Sequence, residues 1–186
     1  MSLTLITPPL SEPVTLAEAK AHLKVDTTAD DALISSLIVA ARARAEWHTG
    51  RAFVTQSWTL WLDAWPKSGL IEIPLPPLQS VTQAATYALD DTRTVLDPSL
   101  YRVDLASAPA RLALKETVVP PAILRTVNAV EIAFAAGYGG ASAVPEPIRQ
   151  AILQIVADLY SHRGDGAEIV PFTAQALLAP YRVFKL

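Results

Sequence analysis

Cysteine is missing altogether from the 186 residues, which excludes disulfides and thiolate metal sites outright. Charge is also scarce. Charged residues make up 18% of the chain, below the average globular share of about 25%, and so thinly charged a surface suggests cover by a partner. No run of Lys and Arg appears, and the formal net charge is −3 with a pI near 5.6. Non-specific hold on nucleic acid needs cations that neutralise phosphates, so the chain is not built to grip DNA or RNA. No apolar run reaches the roughly 18 residues of a membrane span. No basic segment followed by an apolar stretch marks a signal peptide, so synthesis in the cytoplasm is the expectation. Internal repeats and low-complexity tracts are absent too.

What remains is 51% apolar and carries 15 prolines. At 20.0 kDa it can bury a sizeable core, as one large domain or one domain with an insertion. Residues 1–13 hold Pro8, Pro9 and Pro13 and read as an extended arm. Thr15 with Glu18 spells a capping box that opens a short helix from Leu16 to about Leu23. Thr28 with Asp31 opens a longer one, ending near Trp47. Its Ile34, Leu37, Ile38, Ala41 and Ala45 fall on one face, and Gly50 suits a left-handed C-terminal cap.

The period then changes from that of a helix to that of a strand. Trp58, Leu60 and Leu62 alternate with polar neighbours and Trp61. Ile71, Ile73 and Leu75 repeat the pattern, as do Tyr101, Val103 and Leu105, then Leu112 and Leu114, then Val130, Ile132, Phe134 and Ala136. Turn signals separate them at Pro66–Gly69, Pro76-Pro77, Asp90-Asp91 and Pro120-Pro121. Gly137-Tyr138-Gly139-Gly140 reads as a hinge. Pro147 then sits in the first turn of a helix whose stripe is Ile148, Ala151, Ile152, Ile155, Val156, Leu159 and Tyr160. A last short helix spans Thr173 to about Leu178. The expected fold class is α+β: a helical bundle from residues 1–53 and 138–186, with an antiparallel β-sandwich or barrel-like insertion at 54–137.

Reactive groups are few. His22, His48 and His162 each lie near a helix C-terminus, where the helix dipole favours an imidazolium, and no metal-ligand spacing accompanies them. Asp30-Asp31 opens a helix and Asp90-Asp91 fits a hairpin turn, so neither pair needs a catalytic explanation. The serines lack a GxSxG elbow, and the Gly137–Gly140 stretch lacks phosphate-loop spacing. Arg163-Gly164-Asp165 matches a cell-adhesion tripeptide, but helix termination at Gly164 explains it better. The expectation is no enzyme, with no catalytic, cofactor or metal residues. Trp58 falls on the core face, whereas Trp61 falls on the polar face as a candidate interface anchor.

Three blocks in order carry a resemblance. They are Pro13-Val14-Thr15-Leu16-Ala17-Glu18-Ala19-Lys20-Ala21-His22-Leu23-Lys24-Val25 with Asp30-Asp31, Ile38–Arg42 and Thr49–Phe53; Ala136-Gly137-Tyr138-Gly139 with Val144–Ile152; and Leu177-Leu178-Ala179-Pro180-Tyr181-Arg182-Val183. Together they resemble the head–tail connector (adaptor) proteins of long-tailed bacteriophages and phage-derived gene transfer agents. The resemblance covers the two helical ends, about half the chain.

It implies a ring, usually of twelve subunits, under the portal protein of a capsid in the neck of a virion or virion-like particle. The ring bridges portal to stopper or tail-completion protein and leaves a channel through which DNA passes without specific binding. It also implies a C-terminal segment that docks on the portal, here Pro180, Tyr181, Arg182, Val183 and Phe184. In isolation either a monomer or a ring is open. A competing class is a β-sandwich module of such a particle, binding glycan or peptide through Trp61 and Tyr87. A third, a small hydrolase, would need a pocket joining His48 or His162 to a carboxylate.

Overall fold

A computed structural model describes residues 1–119, 121, 123–162 and 170–183. The chain divides into two compact units, Met1–Pro8 with Thr55–Gly137 and Pro9–Val54 with Tyr138–Leu186.

In the second unit, helix α1 (Leu16–Leu23) begins as the capping box requires. The Glu18 amide donates to Thr15 Oγ1 at 3.2 Å and the Thr15 amide to Glu18 Oε2 at 2.7 Å. Those Thr15 contacts, with Arg149 adding to them, hold the Glu18 carboxyl below its ordinary range. Thr15→Ala removes the cap hydroxyl and is expected to lower unfolding free energy by about 1 kcal/mol, read from urea denaturation. A loss no larger than that of an exposed Ser→Ala control would contradict this.

Helix α2 (Asp31–Thr49) starts three residues after Thr28, and no side chain caps it. The expected start signal is spent differently: Asp31 pairs with Lys20 at 2.6 Å, and Asp30 accepts from the Tyr160 hydroxyl at 2.5 Å. Gly50 ends α2 in the left-handed region at φ 69°, its amide donating to Glu46 O at 2.8 Å. Helix α3 (Glu146–His162) packs against α1, α2 and a short α4 (Phe172–Leu178). Ile34, Ile38, Ala41 and Ala45 of α2 meet Ile148, Ile152, Ile155 and Val156 of α3 in one core, completed by Val14, Ala174 and Leu178. The 3.6-residue period visible in the sequence is the period of this buried face.

The first unit holds two antiparallel sheets. Strands β1 (Ser2–Thr7), β2 (Gln56–Leu62), β3 (Leu70–Ile73), β4 (Leu78–Tyr87), β5 (Arg93–Val95), β6 (Tyr101–Asp104), β7 (Ala110–Leu114) and β8 (Val130–Ala136) pair in the orders β1-β2-β8-β4-β5 and β3-β7-β6. Strand β8 shows the alternation most clearly: Val130, Ile132, Phe134 and Ala136 are buried, and Glu131, Ala133 and Ala135 are half-buried.

Several sequence expectations shift here. Part of the expected N-terminal arm is strand β1, because Leu3 and Leu5 can register with Leu60 and Trp58. Leu75, at φ 61°, and Leu105, at 51% exposure, lie beyond the ends of β3 and β6. Asp90-Asp91 does form the β4–β5 turn, closed by Ala88 N donating to Thr92 O at 3.0 Å.

Candidate functional site

The C-terminal block is tied to the end of α2. A helix leaves its last carbonyls without intrahelical donors, and one of them, Thr49 O, accepts the Val183 amide at 2.8 Å. Arg51 Nε donates to the Tyr181 carbonyl. A turn of 3-10 helix over Ala179–Tyr181 brings the chain there, closed by Arg182 N donating to Ala179 O at 3.3 Å. Leu178 anchors that turn in the core, while Gln175 Nε2 fastens the start of α4 to Val170 O at 2.7 Å.

Among the sequence-predicted residues, Tyr181 packs half-buried against the helical core and Val183 is half-buried. Pro180 and Arg182 are exposed. Phe184 lies outside the described residues, as do Arg163-Gly164-Asp165 and Pro120. Tyr138 lies near this clamp. Burial raises its hydroxyl above the ordinary tyrosine value, with Arg51 opposing and Tyr181 adding to the rise. Arg51 as the fastener was not read from the sequence. Its acceptor, the Tyr181 carbonyl, lies 130 residues along the chain, so no local signal marks it.

The four residues therefore form a short strap, attached through its backbone at Tyr181 and Val183, with Pro180 and Arg182 exposed.

Trp61 lies on β2, opposite Glu131 of β8. Its ring centroid is 6.1 Å from that of Tyr87 at a tilt of 39°, and the Arg125 guanidinium sits 3.9 Å over the Tyr87 ring. Tyr87 donates to Glu131 at 2.7 Å, and Arg93 binds the same carboxylate at 3.0 Å. Burial pushes Glu131 up, but Arg93 and Tyr87 outweigh it and hold its carboxyl below the ordinary range. An arginine thus covers one face of Tyr87, and the Trp61 and Tyr87 rings do not lie in a common plane. Trp58 lies on the opposite face with Leu60, in register with Phe134.

The histidines are dispersed. His48 titrates below its ordinary value because of burial and then Arg182, which overrides the helix-dipole effect expected from its position. His162 Nδ1 lies 3.2 Å from Asp158 on its own helix, with the imidazole 49% exposed. Among the described residues, no three His, Cys, Asp or Glu side chains are grouped to hold a metal ion.

Comparison with known proteins follows the sequence blocks. Residues 13–95 match the family model of phage gp6-like head-tail connector proteins. A chain in the neck of an empty gene transfer agent (GTA) particle, computed with C6 symmetry, aligns with a TM-score of 0.86 and 28% identity, covering 100% of this chain and 97% of that one. A chain in the virion of a native GTA particle gives 0.83 and 29%, with the same coverage. A chain in the neck of a native GTA particle, computed with C12 symmetry, gives 0.82 and 28%, again over 100% and 97%. No curated protein matches. The family-model match is to the connector family that the sequence blocks resemble, and the similar solved chains belong to gene transfer agent particles.

Proposed function

We propose that this chain is a structural head–tail connector, an adaptor in the neck of a phage or gene-transfer-agent particle, made in the bacterial cytoplasm and assembled into the particle. The observation that carries the reading is likeness over the full length to a GTA neck chain, at TM-score 0.86 and 28% identity. The connector-family match over residues 13–95 agrees with it. The role is mechanical rather than catalytic.

Copies of the chain form a ring under the portal protein, with twelve subunits expected on that template. The C12 symmetry of one similar neck supports this number, and the C6 symmetry of another is compatible with it. The helical unit is the bundle that holds the ring and portal contacts. The two sheets of the other unit form a sandwich-like insertion turned to solvent or to the stopper or tail-completion protein. DNA passes through the ring without specific binding, in keeping with a net charge of −3 and no basic run. On the portal side, Pro180, Tyr181, Arg182, Val183 and Phe184 are the docking strap. Its exposed outer side and its light attachment to α2 support that role.

Deleting the gene in a particle-producing strain is the direct test. Electron micrographs are expected to show filled heads without attached tails. Intact necks in the deletion strain would reject the connector reading.

A further inference from the structure

Trp47 is the most exposed tryptophan among the described residues, at 75%. It lies in the last turns of α2. Ala43 and Arg44 stand one turn before it, on a flank turned away from the Ile34, Ile38, Ala41 and Ala45 row that faces the core. Tryptophan and arginine are enriched among the residues that anchor protein interfaces, and here the two stand side by side.

The same unit carries a concave counterpart. An open groove of about 600 Å3 runs along α1, lined by Leu16, Ala17, Lys20, Ala21, Val25 and Asp26. The chain makes it by turning back. Lys24 adopts the left-handed conformation at φ 57° and the Val25 amide donates to Lys20 O at 3.0 Å, which lays Val25 and Asp26 beside the helix. Lys20 is engaged by Asp31 at 2.6 Å, which leaves the exposed Asp26 carboxylate as the charged acceptor on the rim. Aliphatic walls with one acceptor are what a buried indole requires, since its body is apolar and its N–H needs a partner. Arg44 beside Trp47 adds the charge that Asp26 attracts.

The knob cannot fill its own groove. Along α2, at about 1.5 Å per residue, Trp47 stands about 24 Å from Asp31, the residue that holds the groove's lysine. A knob and a groove at separate places on one unit give a heterologous contact, which repeats head to tail and closes into a ring when the rotation allows. We propose that Trp47 of one copy seats in the α1 groove of the next copy, its indole among Leu16, Ala21 and Val25 and its N–H directed to Asp26. This deepens the ring reading and rests on it.

Because the chain has no cysteine, Ala21→Cys in the groove wall and Ala43→Cys beside Trp47 introduce the sole thiols, both at exposed positions. The double variant replaces the wild-type chain in particle-producing cells, and purified particles are oxidised and run on a non-reducing gel. The expected result is a ladder of dimers and higher multimers from the double variant and none from either single variant. Adding Trp47→Ala, with far-UV circular dichroism unchanged, is expected to reduce cross-linked product roughly tenfold or more, the scale of truncating a central interface anchor. Double-variant chain present in particles without a ladder overturns this contact and leaves the connector reading standing. A ladder undiminished by Trp47→Ala overturns it as well. Absence of the wild-type chain from purified particles overturns both readings.

Discussion

Removing residues 180–186 is expected to leave the helical unit folded and to abolish incorporation of the chain into particle necks. The strap's attachments include the Val183 amide on Thr49 O and the Arg51 guanidinium on Tyr181 O. Water can replace both, because they lie at a helix end rather than in the core. Net loss per hydrogen bond of this kind is about 1 kcal/mol, and half-buried Tyr181 adds a similar amount. Ala174 and Leu178 stay in place as the anchors of α4, at 0% exposure. The melting temperature followed by circular dichroism should therefore fall by roughly 6–12 °C while the transition stays cooperative. Partner docking, in contrast, would lose every residue of its anchor. Truncated chain recovered in necks at the wild-type level would overturn the assignment of the strap to the portal. A collapse of folding would show instead that the strap belongs to the core.

Arg42→Ala is expected to destabilise the helical unit by about 3–5 kcal/mol, the usual scale for breaking a buried ion pair by removing one partner. Arg42 is 9% exposed in the middle of α2. Its Nε reaches Glu12 at 2.7 Å and its Nη1 reaches Glu46 at 2.6 Å, while the other Glu46 oxygen accepts the Phe53 amide at 2.8 Å. Burial works against the guanidinium's charge, but Glu46 and Glu12 outweigh it and hold Arg42 protonated. Without the cation, a carboxylate 87% buried at Glu46 would keep the Phe53 amide but lose the charge that balances it. Against a total stability of about 5–15 kcal/mol for a domain, such a loss is readily seen in urea titration. Arg111→Ala, whose pair with Asp104 is largely in water, should cost less than about 1 kcal/mol. Equal losses for the two variants would contradict this account.

The helices were legible because their signals are local. The Thr15–Glu18 box, the Gly50 cap and the Ile148–Leu159 stripe each declare themselves within a few residues, and each appears where the pattern put it. Strand β4, the longest in the chain, was not legible. Its Gln79–Thr86 segment is small and polar, and bulges between Leu78 and Ser80 and between Val81 and Gln83 shift its phase. A pleat interrupted twice leaves no two-residue period to detect. Strand β1 went unread for a different reason: its partner Gln56–Leu62 is remote in sequence, and six residues edged by prolines look like an arm. In the sequence the strap residues stand out only as a terminal block. Arg51 as its fastener and the groove beside α1 depend on contacts that only the folded chain brings together.

The chain passes between its units at three points, after Pro8, after Val54 and after Gly137. During synthesis β1 leaves the ribosome first, yet its neighbour β2 emerges only after both early helices have been made. Those helices in turn wait for α3, which follows the whole sheet region. The sheet unit cannot close before β8 is made, nor the helical unit before α3, so a ribosome stalled in the sheet region would hold a chain with apolar faces of both kinds uncovered.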